Sequence, residues 1–229
     1  MAAPMSTEKS LNKKTLKYVV LGHLLSTSAL LALVYVSLNG ILEIDIISYP
    51  LNSIKVLMTF CLIIHGCLHF FIGSIKWQKQ RLGLWIKDVL KCFLIFSISV
   101  MFFHCVAILF GAPFAQKSAE TFHFAMILST TTVAPLIIHL WTDFDAWFRV
   151  IIFQSPDIGI ESMLNISFIT SILGAWLGAL PVPLDWDRPW QVWPITCVIG
   201  TLLGHCVGMM ISSIYTCTQF NKRNKYKLT

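Results

Sequence analysis

The sequence predicts an all-α integral membrane protein of six transmembrane helices with both termini in the cytosol. Three observations predict it. The 229 residues are 56% hydrophobic and only 12% charged, with a mean hydropathy of +0.72, whereas a soluble domain carries about 25% charged residues. Six apolar segments approach or exceed the about 20 residues that cross a bilayer as a helix. Fourteen of the 17 Lys and Arg fall on one side of the resulting topology.

In chain order, residues 1–17 are a polar tail holding Lys9, Lys13, Lys14 and Lys17, and the first span covers residues 18–38. With no small-residue cleavage site after it, this first run reads as a retained helix rather than a cleaved signal. A short acidic loop with Glu43 and Asp45 leads to the second span, 54–75, and a basic loop with Lys76, Lys79, Arg81 and Lys87 follows. The third span is 89–110, with Lys91 near its start, and Gly111-Ala112-Pro113 ends it. The fourth, 121–140, carries the run Ser129-Thr130-Thr131-Thr132 and Pro135. Proline removes a helix hydrogen bond that a nearby hydroxyl partly replaces, so a polar or kinked stretch is expected there. In the connector 141–163, Ala146 to Phe153 reads as a short amphipathic helix lying in the interface. The fifth span is 164–180, the sixth 192–215, and residues 216–229 form a basic tail.

With six spans, the tails and the second and fourth loops share a side. That side holds every Lys and Arg except Lys55, Lys117 and Arg188. The positive-inside rule places it in the cytosol. The +6 net charge therefore orients a membrane protein, and no nucleic-acid partner is implied. On this topology the sequon Asn165-Ile166-Ser167 lies at the cytosolic end of the fifth span and is expected to stay unmodified. Lys225 and Lys227, fifth and third from the end, resemble the dilysine address that returns membrane proteins to the endoplasmic reticulum; an ordinary basic flank is the alternative.

The most distinctive stretch runs from Gly174 to Gly208. Gly174 and Gly178 are four apart, as are Gly200, Gly204 and Gly208, so each set lies on one helix face. Small-residue faces let membrane helices approach closely. The expectation is a tight hairpin of the fifth and sixth spans, its glycines serving either internal packing or a partner. Its tip, Asp185-Trp186-Asp187-Arg188-Pro189-Trp190, is stiffened by Pro181, Pro183, Pro189 and Pro194.

Signs of catalysis are few. The seven cysteines form no CxxC pair and mostly sit in apolar segments, as packing residues rather than a disulfide or zinc framework. His65 and His69 share a face of the second span with Cys61, and His104, His123, His139 and His205 are placed to converge. There is no HExxH and no paired carboxylate within a span, so interhelical hydrogen bonding is the expected role rather than a metal or haem site. Loops on the non-cytosolic side, the longest of them Asn39 to Ser53, leave no room for the domain that two-metal chemistry needs. Asp185, Asp187 and Arg188 suit a self-satisfied turn or a docking contact; Arg188 also fits phosphate geometry. No catalytic residue, metal or cofactor is assigned.

The same stretch carries a resemblance. Gly174-Ala175-Trp176-Leu177-Gly178-Ala179-Leu180-Pro181, Pro183-Leu184-Asp185-Trp186 and Arg188-Pro189-Trp190-Gln191-Val192-Trp193-Pro194-Ile195 resemble the signature of the PIG-F family of glycosylphosphatidylinositol (GPI) anchor biosynthesis. Phe110-Gly111-Ala112-Pro113, Glu120-Thr121-Phe122 and Ile127-Leu128-Ser129-Thr130 match as well. The first two spans match only in hydropathy and spacing, and fungal members are nearest in style. The resemblance implies a non-catalytic, multi-pass subunit of the endoplasmic reticulum membrane. It would bind and stabilise the large GPI ethanolamine phosphate transferases, with membrane lipids and GPI intermediates as further expected contacts. The hairpin would dock through Gly174, Gly178, Gly200, Gly204 and Gly208, and the tip through Asp185, Trp186, Asp187, Arg188, Trp190 and Trp193. The competing expectation is an autonomous lipid transporter or lipid-modifying enzyme, for which Ser129 to Thr132, Pro135 and His139 are the only hints of a polar groove. A third is an assembly chaperone that leaves once its partner folds.

Overall fold

A computed structural model describes residues 13–41, 44–73 and 82–226. Among them there is no strand. The long helices are α1 (Lys13–Leu38), α2 (Pro50–Gly73), α3 (Leu82–Leu109), α4 (Ser118–Leu140), α6 (Ile160–Ala179) and α7 (Ile195–Tyr226), with a short α5 (Phe144–Trp147) between α4 and α6. Six are long and apolar enough to cross a membrane, as the sequence implied.

Helix α4 is the axis of the bundle: 72% of its span is buried, against 22% for α3. It touches α2, α3, α6 and α7, while α1 closes the ring between α2 and α7. The Ser/Thr run explains how a hydroxyl-rich segment occupies that position. Thr130 Oγ1 donates to the Met126 carbonyl at 2.8 Å, Thr131 Oγ1 to Ile127 at 3.2 Å and Thr132 Oγ1 to Leu128 at 2.6 Å. Hydroxyls bonded to their own helix present small, β-branched, effectively apolar surfaces to their neighbours. Pro135 sits inside α4 without ending it. Around α4 the core is built from Leu30 and Val34 of α1, Ile54 and Leu57 of α2, Phe103 of α3, and Val198 and Leu202 of α7.

Two connections position the functional end of the chain. Between α1 and α2, Asp45 Oδ1 accepts from the Ile47 and Ser48 amides at 2.8 and 3.2 Å, a turn that launches α2. Between α4 and α6, Asp143 caps α5 by accepting from the Ala146 amide, and a π-turn continues over Phe148–Ile152. The helical part thus starts at Phe144, before the expected Ala146, because the Asp143 cap sets its origin. Phe144, Phe148, Ile152 and Phe153 are exposed while Ala146 and Val150 are buried, the two-faced pattern of an interfacial segment.

The connector is bound tightly to α6. Arg149 grips Glu161 with both ends of its guanidinium, Nε to Oε2 at 3.1 Å and Nη2 to Oε1 at 2.5 Å. That bond, reinforced by the nearby Asp157 and Asp143, holds the Arg149 guanidinium above the usual arginine value. Glu161 also accepts from the Asp157 amide, and α6 begins at Ile160, earlier than the apolar run suggested. Asn165, the sequon residue, is buried and donates to the Val150 carbonyl at 2.6 Å and to Gln154 Oε1 at 2.8 Å.

Candidate functional site

The α6–α7 hairpin forms the most extensive helix pair in the molecule. Its seam is made of glycine on both sides. A Cβ built on Gly174 would lie 2.9 Å from the Gly204 Cα and closer still to the Gly200 carbonyl oxygen. One on Gly178 would lie 2.9 Å from the Cys197 Cα, and one on Gly208 2.8 Å from the Ser167 Cα. Gly200 and Gly204 meet the backbone of α6 in the same way. No side chain fits where two backbones run this close. The Cβ directions of Gly174, Gly178, Gly200, Gly204 and Gly208 thus point at the other helix of the hairpin, the internal-packing side of the two roles expected for the ladder.

Below the seam the hairpin ends in a short tip, and Gln191 organises it. The side chain is buried, and its Nε2 donates to the carbonyls of Pro181 and Leu184, both at 2.7 Å. Its Oε1 accepts from the Arg188 amide at 3.0 Å. One amide therefore ties three points of a proline-rich loop together. Prolines lack an N–H, so the loop's carbonyls need a side-chain donor, and Gln offers two N–H groups and an acceptor. Trp193 pins the tip to the start of α4: its Nε1 donates to Thr121 Oγ1 at 3.0 Å, and its ring meets Phe124 edge-on at 5.3 Å. Trp193, partly buried, is thereby engaged within the chain.

The remaining tip residues face outward. Asp185, Trp186, Asp187 and Arg188 are exposed, and Trp190 is partly so, with its ring 6.0 Å from that of Trp186. Among the described residues no ion pair engages Asp185, Asp187 or Arg188. Asp187 has φ +48°, a left-handed conformation that aspartate tolerates in turns. The tip thus presents two carboxylates, one guanidinium and two indoles on a loop tied together by Gln191.

Several of the histidines make contacts within and between helices. His65 and His205 are buried with rings edge-to-face at 5.0 Å, and His205 Nδ1 lies 2.9 Å from Ser167 Oγ and 3.1 Å from Ser171 Oγ. His23, which sequence reasoning passed over, lies 3.1 Å from Ser213 Oγ. Among the described residues no three His, Cys, Asp or Glu side chains are disposed to hold one ion. His123 Nδ1 turns back to its own helix at Ala119, and the ring of His104 packs on Phe122. The side chain of His69 lies outside the described residues, as does Lys227; Lys225 falls within α7 without a described side chain. Ser129, Thr130, Thr131 and Thr132 are buried among the helices packed on α4 rather than lining an open groove.

Comparison with known proteins bears on what this arrangement does. The model of a family described as GPI biosynthesis protein family Pig-F matches residues 19–213. A Homo sapiens protein named "GPI ethanolamine phosphate transferase, stabilizing subunit" is 43% identical over 138 residues, 60% of this chain and 63% of the relative. The Schizosaccharomyces pombe "PIGF/3-ketodihydrosphingosine reductase fusion protein" is 35% identical over 193 residues, 83% of this chain and 36% of the relative. "Glycosylphosphatidylinositol anchor biosynthesis protein 11" of Yarrowia lipolytica is 38% identical over 126 residues, 54% of this chain and 55% of the relative. The matched stretches thus span less than two thirds of these relatives' own lengths. No solved structure matches the chain.

Proposed function

Because the chain belongs to the GPI biosynthesis protein family Pig-F, we propose that it is a non-catalytic membrane subunit that binds and stabilises a GPI ethanolamine phosphate transferase. The relatives named as stabilizing subunits of that transferase support the role. The observation that carries the mode of action is the tip: a locked loop whose Asp185, Asp187 and Arg188 are exposed and free of ion pairs with described residues. Charges held without internal partners on a rigid scaffold favour recognition over fold stability, since positioning them in advance lowers the ordering cost of association.

In this reading the helices lie in the endoplasmic reticulum membrane with both termini cytosolic, and the tip projects into the lumen. It meets the partner's catalytic domain there, with Trp186 and Trp190 setting its depth at the interface. The glycine seam contributes indirectly, by making the hairpin one stiff unit. The transferase chemistry and its metals belong to the partner, and membrane lipids and GPI intermediates contact the complex.

The test is depletion of this chain in cells, with the steady-state level of each ethanolamine phosphate transferase followed by immunoblot. A fall in at least one transferase, restored by re-expression, is expected. Unchanged levels of all of them would overturn the stabilising role.

A further inference from the structure

Five helices bring polar side chains to one small cavity of the bundle. It has a volume of about 30 Å³ and is lined by His23 of α1, His65 of α2, His139 of α4, Ser167 of α6 and His205 of α7, within an otherwise apolar wall. His65 and His205 are 3% and 1% exposed. The Nε2 atoms of both are buried and find no hydrogen-bond partner among the described residues. Buried polar atoms in folded proteins are almost always bonded, and an orphan beside a cavity points to a ligand that supplies the bond.

The hydrogen bonds around His205 indicate which kind of ligand. Ser171 Oγ donates its only proton to the Ser167 carbonyl at 2.7 Å, so it can only accept from His205 Nδ1 at 3.1 Å. The proton of a neutral His205 is therefore on Nδ1, and Nε2 offers a lone pair that wants a donor. The volume admits a water molecule, and no Lys or Arg lines the wall to hold an anion. The donor set also falls short of a metal site among the described residues.

We propose that this cavity binds an ordered water molecule that bridges His205 Nε2 and His65 Nε2, linking α7 to α2. The bridge continues through Ser167 and Ser171 into α6. It thus fastens the glycine-zipped hairpin, and the tip it carries, to the other half of the bundle. This assignment stands independently of the subunit role.

The test is a double-mutant cycle on the full-length chain in mild detergent, read as melting temperature. His65→Met and His205→Met each lower it by a few degrees, because each strands the water and the opposite nitrogen. The double variant loses less than the sum of the singles. His65→Gln, whose amide can still bond the water, retains more stability than His65→Met, and this comparison holds if His205→Met fails to accumulate. Unchanged or raised melting temperatures in the singles, or strictly additive losses, would overturn the bridge. So would stabilisation of the wild type by added Zn²⁺ that is absent in His65→Met, which would make the occupant a metal ion.

Discussion

Gly174 and Gly204 stand face to face across the hairpin, with a Cβ on Gly174 reaching to 2.9 Å from the Gly204 Cα. Real Cβ atoms do not approach other heavy atoms that closely, so any side chain here pushes the two backbones apart. In lipid, where apolar residues gain nothing by leaving their surroundings, such close packing supplies much of the association between helices.

Gly204→Leu is therefore expected to lower the amount of this chain itself, with partner association lost as a consequence. Overpacking costs about 1–3 kcal/mol in a well-packed core, and a backbone-on-backbone seam has less room to relax. Gly66→Ala is the control: nothing lies within 4 Å of its Cβ position, and it should accumulate normally. Quantitative immunoblotting of both variants checks this. Normal accumulation of Gly204→Leu with only the partner lost would return the ladder to the interface.

Gln191→Leu should loosen the tip. The substitution removes the donor to the Pro181 and Leu184 carbonyls, each such hydrogen bond being worth about 0.5–1.5 kcal/mol. Limited proteolysis in detergent should show faster cleavage between Pro181 and Pro194 than in the wild type, with the helices intact.

The exposed charges should behave in the opposite way. The triple variant Asp185→Ala, Asp187→Ala, Arg188→Ala removes no ion pair formed with described residues. Its melting temperature and abundance should match the wild type, while recovery of the transferase falls severalfold in co-purification. A folded variant that retains full recovery would move the docking surface elsewhere.

Asn165 should carry no glycan. Its Nδ2, the atom a glycan would occupy, already donates to Val150 and Gln154 in a buried position. On the proposed topology it also faces the cytosol. Endoglycosidase treatment is expected to leave the electrophoretic mobility unchanged; a shift would contradict the topology.

The six helices were legible because an apolar run long enough to span a bilayer is a strong local signal. The glycine spacing was legible too, since a period of four fixes a helix face. What that face meets depends on the neighbouring helix, and spacing cannot say whether the neighbour is the chain's own α6 or a partner. Gln191 escaped for a related reason: its importance comes from the carbonyls of Pro181 and Leu184, which only the folded loop brings to it. His65 and His205 were among the histidines expected to bond between helices, whereas His23 carried no motif, and its place beside them is a product of tertiary packing. By contrast, the tip residues Asp185 to Arg188 stood out in sequence because charges are rare in this chain, and the structure leaves them exposed.

The most direct measurement is purification of the tagged chain in mild detergent, the tag inserted before Lys225, followed by mass spectrometry. The account predicts a GPI ethanolamine phosphate transferase in near-equal molar amount. Recovery of this chain alone, folded and stable, would contradict it and leave an autonomous role in lipid handling as the reading to pursue.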